Sequence, residues 1–178
     1  MKKYKALFLD RDGIINIDHG YVSKIEDFEF TEGIFELLHL FSQQKYRLFL
    51  VTNQSGIGRG YYSLDDFHTL TKWMLTQFES KNITIEYVAY CPHSPEEQCI
   101  CRKPNTGMVD DIVKRYPINL SHSWLIGDKQ SDIDLALNSH IQNRISIGSN
   151  KFQNSTYHFN TILECKTYLE KQKNLLAY

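Results

Sequence analysis

The sequence predicts an α/β protein, a Rossmann-like three-layer αβα sandwich around a central, mainly parallel sheet. Three observations carry that expectation. Short apolar runs of strand length alternate with stretches whose apolar residues recur at helical spacing. The 178 residues suffice to bury one core and are too few for two full domains, so residues 1–178 are read as a single domain. Finally, the residues able to do chemistry fall just after successive apolar runs, where open α/β sheets bind their ligands.

The first strand is placed at 4–9 and runs into Asp10 and Asp12. Segment 18–31 fits neither the strand nor the helix period and reads as a long loop. A helix at 33–44 carries Ile34, Leu37, Leu38 and Phe41 on one face, and a strand at 47–51 then leads into Thr52 and Asn53. The next helix, 64–81, aligns Phe67, Leu70, Met74 and Phe78. A third strand at 85–90 opens a second long loop, 91–106. The following helix, 108–116, aligns Met108, Ile112, Val113 and Tyr116, and Pro117, which lacks an N–H, ends it. A strand at 123–126 precedes Asp128, a helix starts after Ser131, a strand covers 144–147 and a helix 161–173. This continuous pattern leaves no large cap domain, and long loops in compact domains are usually functional.

Twenty Lys plus Arg against twenty-one Asp plus Glu give a formal charge of -1, so no broad cationic field attracts nucleic acid or anionic lipid. A small molecule is the expected partner. No apolar run reaches the length of a membrane span. The N-terminal MKKYKALFLD is interrupted by Asp10 too early for a signal-peptide core, which points to the cytoplasm. No heptad seam is visible, and a monomer is expected.

Phosphate monoesters hydrolyse so slowly that their enzymes supply accelerations of up to ~10²¹. A carboxylate that attacks phosphorus splits the reaction into two easier steps. Asp10 is the candidate nucleophile. It needs a cation to offset repulsion between two anions, and Mg²⁺ prefers such hard oxygen ligands. Asp10 and Asp128 are the natural carboxylate ligands, with the Asp12 backbone carbonyl as a third. Two residues past Asp10, Asp12 can protonate the leaving oxygen and later deprotonate water, and Gly13 permits the tight turn this needs. Thr52 offers a hydroxyl and Lys103 a compact charge to the phosphoryl oxygens. Singly, a DxD is more often a solvated turn, Asn53 a cap, Lys103 a surface charge, and Asp128 with Asp132 a helix cap and first-turn acid. Acid pair, hydroxyl, lysine and acid, each just past a separate strand, form an ordered set that chance rarely assembles.

In the loop CPHSPEEQCIC, Cys91, His93, Cys99 and Cys101 supply the four soft ligands of a closed structural Zn²⁺ site. The competing reading is a surface loop of reduced cysteines. Four protein ligands leave no open position for substrate, so this zinc would stiffen the loop and hold Arg102 and Lys103 at the site. Cys165 lies in a helical stretch and reads as core filler.

The stretches LFLDRDGIIN, DHGYVSKIEDFEF, VTNQSGIGRGYY, CPH with CICRKPNTGM, and IGDKQSD resemble the haloacid dehalogenase superfamily of aspartate-nucleophile phosphatases. Within it they are similar to the D-glycero-D-manno-heptose 1,7-bisphosphate 7-phosphatases, from Met1 to about Ile147. The resemblance implies Asp10 as nucleophile, Asp12 as acid/base, and Asp10, Asp12 and Asp128 as the magnesium site, with Thr52 and Lys103 on the transferring phosphoryl group. It also implies a small phosphorylated sugar as substrate, met by Asp18, His19, Gly20, Tyr21, Asn53, Gln54, Ser55, Arg102 and Lys129. Only residues 94–98 separate His93 from Cys99, a short loop that resembles the histidinol-phosphate phosphatases. A bisphosphate carries a second dianion, which Arg102 or Arg59 can meet. The alternatives are a histidinol-phosphate or broader sugar-phosphate phosphatase, a nucleic-acid end-processing phosphatase, and a catalytically silent zinc-clipped binding module.

Overall fold

The structure is a computed structural model that describes residues 3–172 and 174–177. The chain begins with β1 (Ala6–Leu9), in which all four side chains are buried. It continues through α1 (Ile34–Gln43), β2 (Arg47–Asn53), the single turn α2 (Ser55–Gly58), α3 (Leu64–Glu79) and β3 (Ile85–Cys91). Next come α4 (Gly107–Arg115), β4 (Trp124–Gly127), α5 (Gln130–Asn138), β5 (Asn143–Ile147), β6 (Tyr157–Phe159), α6 (Ile162–Lys171) and α7 (Asn174–Ala177). The strands form one parallel sheet in the order β3-β2-β1-β4-β5-β6.

Both faces of this sheet are covered, and the period of two along each strand explains how. Leu7, Leu9, Leu48 and Leu50 face a core closed by Ile34, Leu37 and Phe41 of α1, Leu70, Met74 and Phe78 of α3, and Ile162, Cys165 and Leu169 of α6. The intervening Ala6, Phe8, Phe49 and Val51 face a second core closed by Met108, Val109 and Ile112 of α4 and Leu135 and Ala136 of α5. Strands buried on both sides read as unbroken apolar runs, which is why the central ones are legible in the sequence. Cys165 is core filler, as expected.

The structure adds β6, which pairs Tyr157, His158 and Phe159 with Ile145, Ser146 and Ile147 at the sheet edge. Tyr4 makes only an isolated bridge to Ile118, so the first strand is shorter than the run 4–9. The helix expected after Ser131 already begins at Gln130. The helix expected over 161–173 ends at Lys171, and Lys173 lies outside the described residues. A capping box at Ser63, where Ser63 Oγ accepts from Asp66 N at 3.1 Å and Asp66 Oδ2 accepts from Ser63 N at 2.8 Å, sets the start of α3. Among the described residues no helix is long and apolar enough to cross a membrane. The chain winds outward one way through β2 and β3, then returns to the other side of β1 with β4. Ligands bind at such a switch, beyond the carboxyl ends of the two central strands.

Candidate active site and metal centre

At this switch β1 and β4 deliver carboxylates side by side. Asp10 N donates to Ile126 O at 3.2 Å, tying the turn after β1 to β4. Lys103 Nζ lies 2.9 Å from Asp10 Oδ1 and 2.6 Å from Asp132 Oδ1, and donates to Val51 O at 2.9 Å. One buried ammonium thus uses its three protons on three acceptors, two of them charged. The local balance is still negative. Burial pushes the Asp10 carboxyl up to about 6, with Lys103 opposing and Asp132 and Asp12 reinforcing. Burial also pushes Asp128 up to about 7, with Asp10 and Asp132 adding to it. For Lys103 burial acts downward, but Asp10 and Asp132 together hold its pKa above the ordinary lysine value.

Ligand oxygens of Asp10, Asp128 and Asp132 lie within 4.8 Å of one another. Asp128 Oδ1 is buried with no hydrogen-bond partner among the described residues. Carboxylate oxygens crowded in this way, one of them unpartnered, fit a hard divalent cation such as Mg²⁺. Gly13 makes the crowding sterically feasible: it holds φ +88°, and a Cβ there would stand 2.1 Å from Asp128 Oδ2. Asp132 does two jobs. Its Oδ2 accepts from Lys129 N at 3.1 Å at the start of α5, while Oδ1 meets Lys103.

The Asp12 side chain takes a different direction and is not part of this carboxylate cluster. Its Oδ1 accepts from Arg11 Nη2 at 2.9 Å and Asn16 Nδ2 at 3.1 Å, and its Oδ2 from Gln54 Nε2 at 3.0 Å. Asp12 borders a cleft of about 230 Å³ together with Asp18, Gly20, Tyr21, Asn53, Gln54, Ser55, Tyr62 and Lys129. The residues expected to meet substrate therefore converge, with two exceptions. Next to the cleft, His19 leans toward Glu29, its Nε2 3.6 Å from Glu29 Oε2. Arg102 sits on the cysteine loop, where Nη1 lies 3.5 Å from the His93 carbonyl. Lys129 Nζ, 3.6 Å from Asp18 Oδ2, joins the loop after β4 to the loop after β1. Asn53 Oδ1 accepts from Lys103 N at 3.1 Å, so it also fixes the backbone that carries the lysine.

The four soft ligands meet at the end of β3. Cys91 Sγ lies 3.5 Å from His93 Nδ1 and 3.4 Å from Cys99 Sγ, and Cys101 Sγ lies 3.2 Å from His93 Nδ1 and 3.5 Å from Cys99 Sγ. The edges of a Zn²⁺–thiolate tetrahedron are about 3.7 Å, so the set fits that ion with little adjustment. The loop is tied down on both sides. Gln54 N donates to Cys91 O and Gly58 N to Pro92 O, both at 2.8 Å, and Asn105 Nδ2 donates to Cys99 O at 2.8 Å.

A family model described as polynucleotide kinase 3 phosphatase matches residues 7–168. D-glycero-beta-D-manno-heptose-1,7-bisphosphate 7-phosphatase of Helicobacter pylori is 46% identical over 171 residues, covering 96% of each chain. The chain belongs to the heptose-bisphosphate phosphatase family of the haloacid dehalogenase superfamily. D-glycero-alpha-D-manno-heptose-1,7-bisphosphate 7-phosphatase of Campylobacter jejuni is 48% identical over 149 residues, 84% of this chain and 86% of that one. In fold, this chain matches the crystal structure of D,D-heptose 1,7-bisphosphate phosphatase from B. bronchiseptica complexed with magnesium and phosphate. The TM-score is 0.83 at 24% identity, over 94% of this chain and 99% of that one.

Within this phosphatase site, three residues were invisible to motif reading. Asp132 reads in the sequence only as a helix-start acid, and it lies at the third position of α5 while Asp128 precedes the helix cap Lys129. Arg11, 2% exposed, donates to Val22 O at 2.6 Å and so straps the 18–31 loop to the turn after β1. No pattern announces a buried arginine. Tyr62, at the end of VTNQSGIGRGYY, carries no signal of its own in the sequence, and its hydroxyl donates to Gln54 Oε1.

Proposed function

We propose that the protein is a magnesium-dependent phosphomonoester hydrolase that works through an aspartyl phosphate on Asp10. Its substrate is D-glycero-D-manno-heptose 1,7-bisphosphate, from which it removes the 7-phosphate. The observation that carries the reading is the buried Lys103 ammonium held between Asp10 and Asp132, beside the unpartnered oxygen of Asp128. Asp10 and Asp128, with the Asp12 backbone carbonyl, would hold Mg²⁺. When bound there, the cation offsets the repulsion between carboxylate and phosphate dianion and polarises the phosphoryl oxygens.

The chain's own groups do the rest. Asp10 attacks phosphorus, with Lys103 and the Thr52 hydroxyl drawing the developing charge from the equatorial oxygens. Asp12 gives its proton to the leaving sugar oxygen, then takes one from the water that cleaves the aspartyl phosphate. Asp18, Gly20, Tyr21, Asn53, Gln54, Ser55 and Lys129 line the sugar cleft, and Arg102 with Arg59 offers positive charge for the second phosphate. Cys91, His93, Cys99 and Cys101 would hold structural Zn²⁺. The names of the relatives support the heptose substrate, and the chain would act as one cytoplasmic, monomeric domain.

A nucleic-acid 3′-phosphatase is the second reading, prompted by the description of the family model. The charge of the cleft argues against it, because among the described residues Lys129 is the only cation lining it and stands next to Asp18. Asp10→Asn is expected to abolish phosphate release with the circular dichroism spectrum unchanged, and substantial residual turnover defeats the mechanism. For the substrate, kcat/KM compared on heptose 1,7-bisphosphate, histidinol phosphate, fructose 1,6-bisphosphate and a 3′-phosphorylated oligonucleotide should favour the first. Equal values on all four refute the specificity.

A further inference from the structure

We propose that Tyr62 is a positioning residue of the reaction: its hydroxyl orients the Gln54 amide, and that amide fixes where the protons of Thr52 and Asp12 point. The inference rests on the phosphatase reading of Thr52 and Asp12 and adds a residue to it.

The contacts run in one direction. Tyr62 Oη donates to Gln54 Oε1 at 2.5 Å. Gln54 Nε2 donates to Thr52 Oγ1 at 2.8 Å and to Asp12 Oδ2 at 3.0 Å. An ionised carboxylate only accepts, so the amide nitrogen must face Asp12 and the amide oxygen must face Tyr62. A hydroxyl that accepts from Gln54 keeps its own proton free, and the Thr52 O–H is turned away from the amide, available to a phosphoryl oxygen. On Asp12, Oδ1 already accepts from Arg11 and Asn16. Oδ2 carries a single N–H and has a lone pair left for the transferable proton. The proton given to the leaving sugar oxygen departs from Oδ2, and the proton taken from water returns to it. Both proton-bearing atoms therefore hang on one amide, and the amide on one phenol.

The arrangement is built into the fold. Gln54 is 2% exposed. Gly56 leaves the space for the ring, since a Cβ there would stand 2.2 Å from Tyr62 Cε1. Burial pushes the phenol up to about 12, so the hydroxyl keeps its proton at any working pH.

Tyr62→Phe removes the hydroxyl and keeps the ring against Gly56. The expected result is a kcat lowered about 3- to 10-fold, the effect of one lost hydrogen bond, with KM nearly unchanged and Tm lowered by a few degrees as the buried Gln54 Oε1 loses its donor. Gln54→Ala lowers kcat further, and in that background Tyr62→Phe adds nothing, because the relay is already cut. Gln54→Glu sets a second acceptor against Asp12 and draws the Thr52 proton inward. Its activity relative to the unmutated enzyme should recover as the pH falls and the introduced carboxyl is protonated. Fully additive losses in the double variant, or a change confined to KM, overturn the proposal. Acid-quenched trapping of a phosphoenzyme separates the two levels of the reading. No trapped phosphate in the unmutated protein defeats the Asp10 nucleophile and the relay together, whereas trapped phosphate with unaltered Tyr62→Phe kinetics defeats the relay alone.

Discussion

Gly13 and Asp128 occupy space that any side chain at position 13 would need. Gly13→Ala meets Asp128 Oδ2 at 2.1 Å and has to hold φ +88°, so the carboxylate must move by an ångström or more. Misplacement on that scale costs roughly hundredfold in rate. The variant should bind Mg²⁺ more weakly in titration calorimetry and lose phosphate release to about that degree while keeping its sheet. Unchanged Mg²⁺ affinity would show that Asp128 is not a ligand. At this scale the sequence is informative where position along a strand fixes placement, as for Asp10, Thr52 and Asp128 at the carboxyl ends of β1, β2 and β4. It is mute where a role depends on a partner far along the chain. Asp132 reads as a helix-start acid and is one, and its second oxygen holding Lys103 appears only once β2, β4 and the cysteine loop are together.

The 91–106 loop gathers Cys91, His93, Cys99 and Cys101 and also carries Lys103, whose ammonium lies 2.9 Å from Asp10. Cys99→Ser is expected to lower zinc content from about one atom per chain to none by elemental analysis. Because structural zinc affinity is folding free energy, the same variant should melt earlier and lose activity as Lys103 loses its anchor. A zinc-free unmutated protein with full activity would falsify the clip. Long or doubly buried elements are the ones legible in advance, since α1, α3 and the four central strands repeat their pattern often enough to be seen. β6 has three residues and one sheet neighbour, and the Ser-Gly-Ile-Gly turn of α2 has neither length nor an apolar face. Such elements form because the sheet and the loop are already there.

For the molecule as a whole, the raised carboxyls of Asp10 and Asp128 set a pH dependence. Without Mg²⁺ each binds its proton more tightly folded than unfolded. The stability this contributes is fully present below the ordinary carboxyl value of 3.8 and is lost as the pH rises through about 6 for Asp10 and about 7 for Asp128. Mg²⁺ competes with those protons. It is therefore expected to raise Tm more near about pH 8 than near about pH 5, as read by calorimetry with zinc retained. Equal shifts at both pH values would place the cation elsewhere.

The strand order has a consequence for the chain as it is made. β1 is central in space yet early in sequence, and its neighbour β4 is synthesised only after β2, β3 and the cysteine loop. Asp10 therefore leaves the ribosome long before Lys103, Asp128 and Asp132 exist to surround it. A chain cut short before β4 would therefore hold Asp10 without the carboxylates and the strand that flank it in the folded protein.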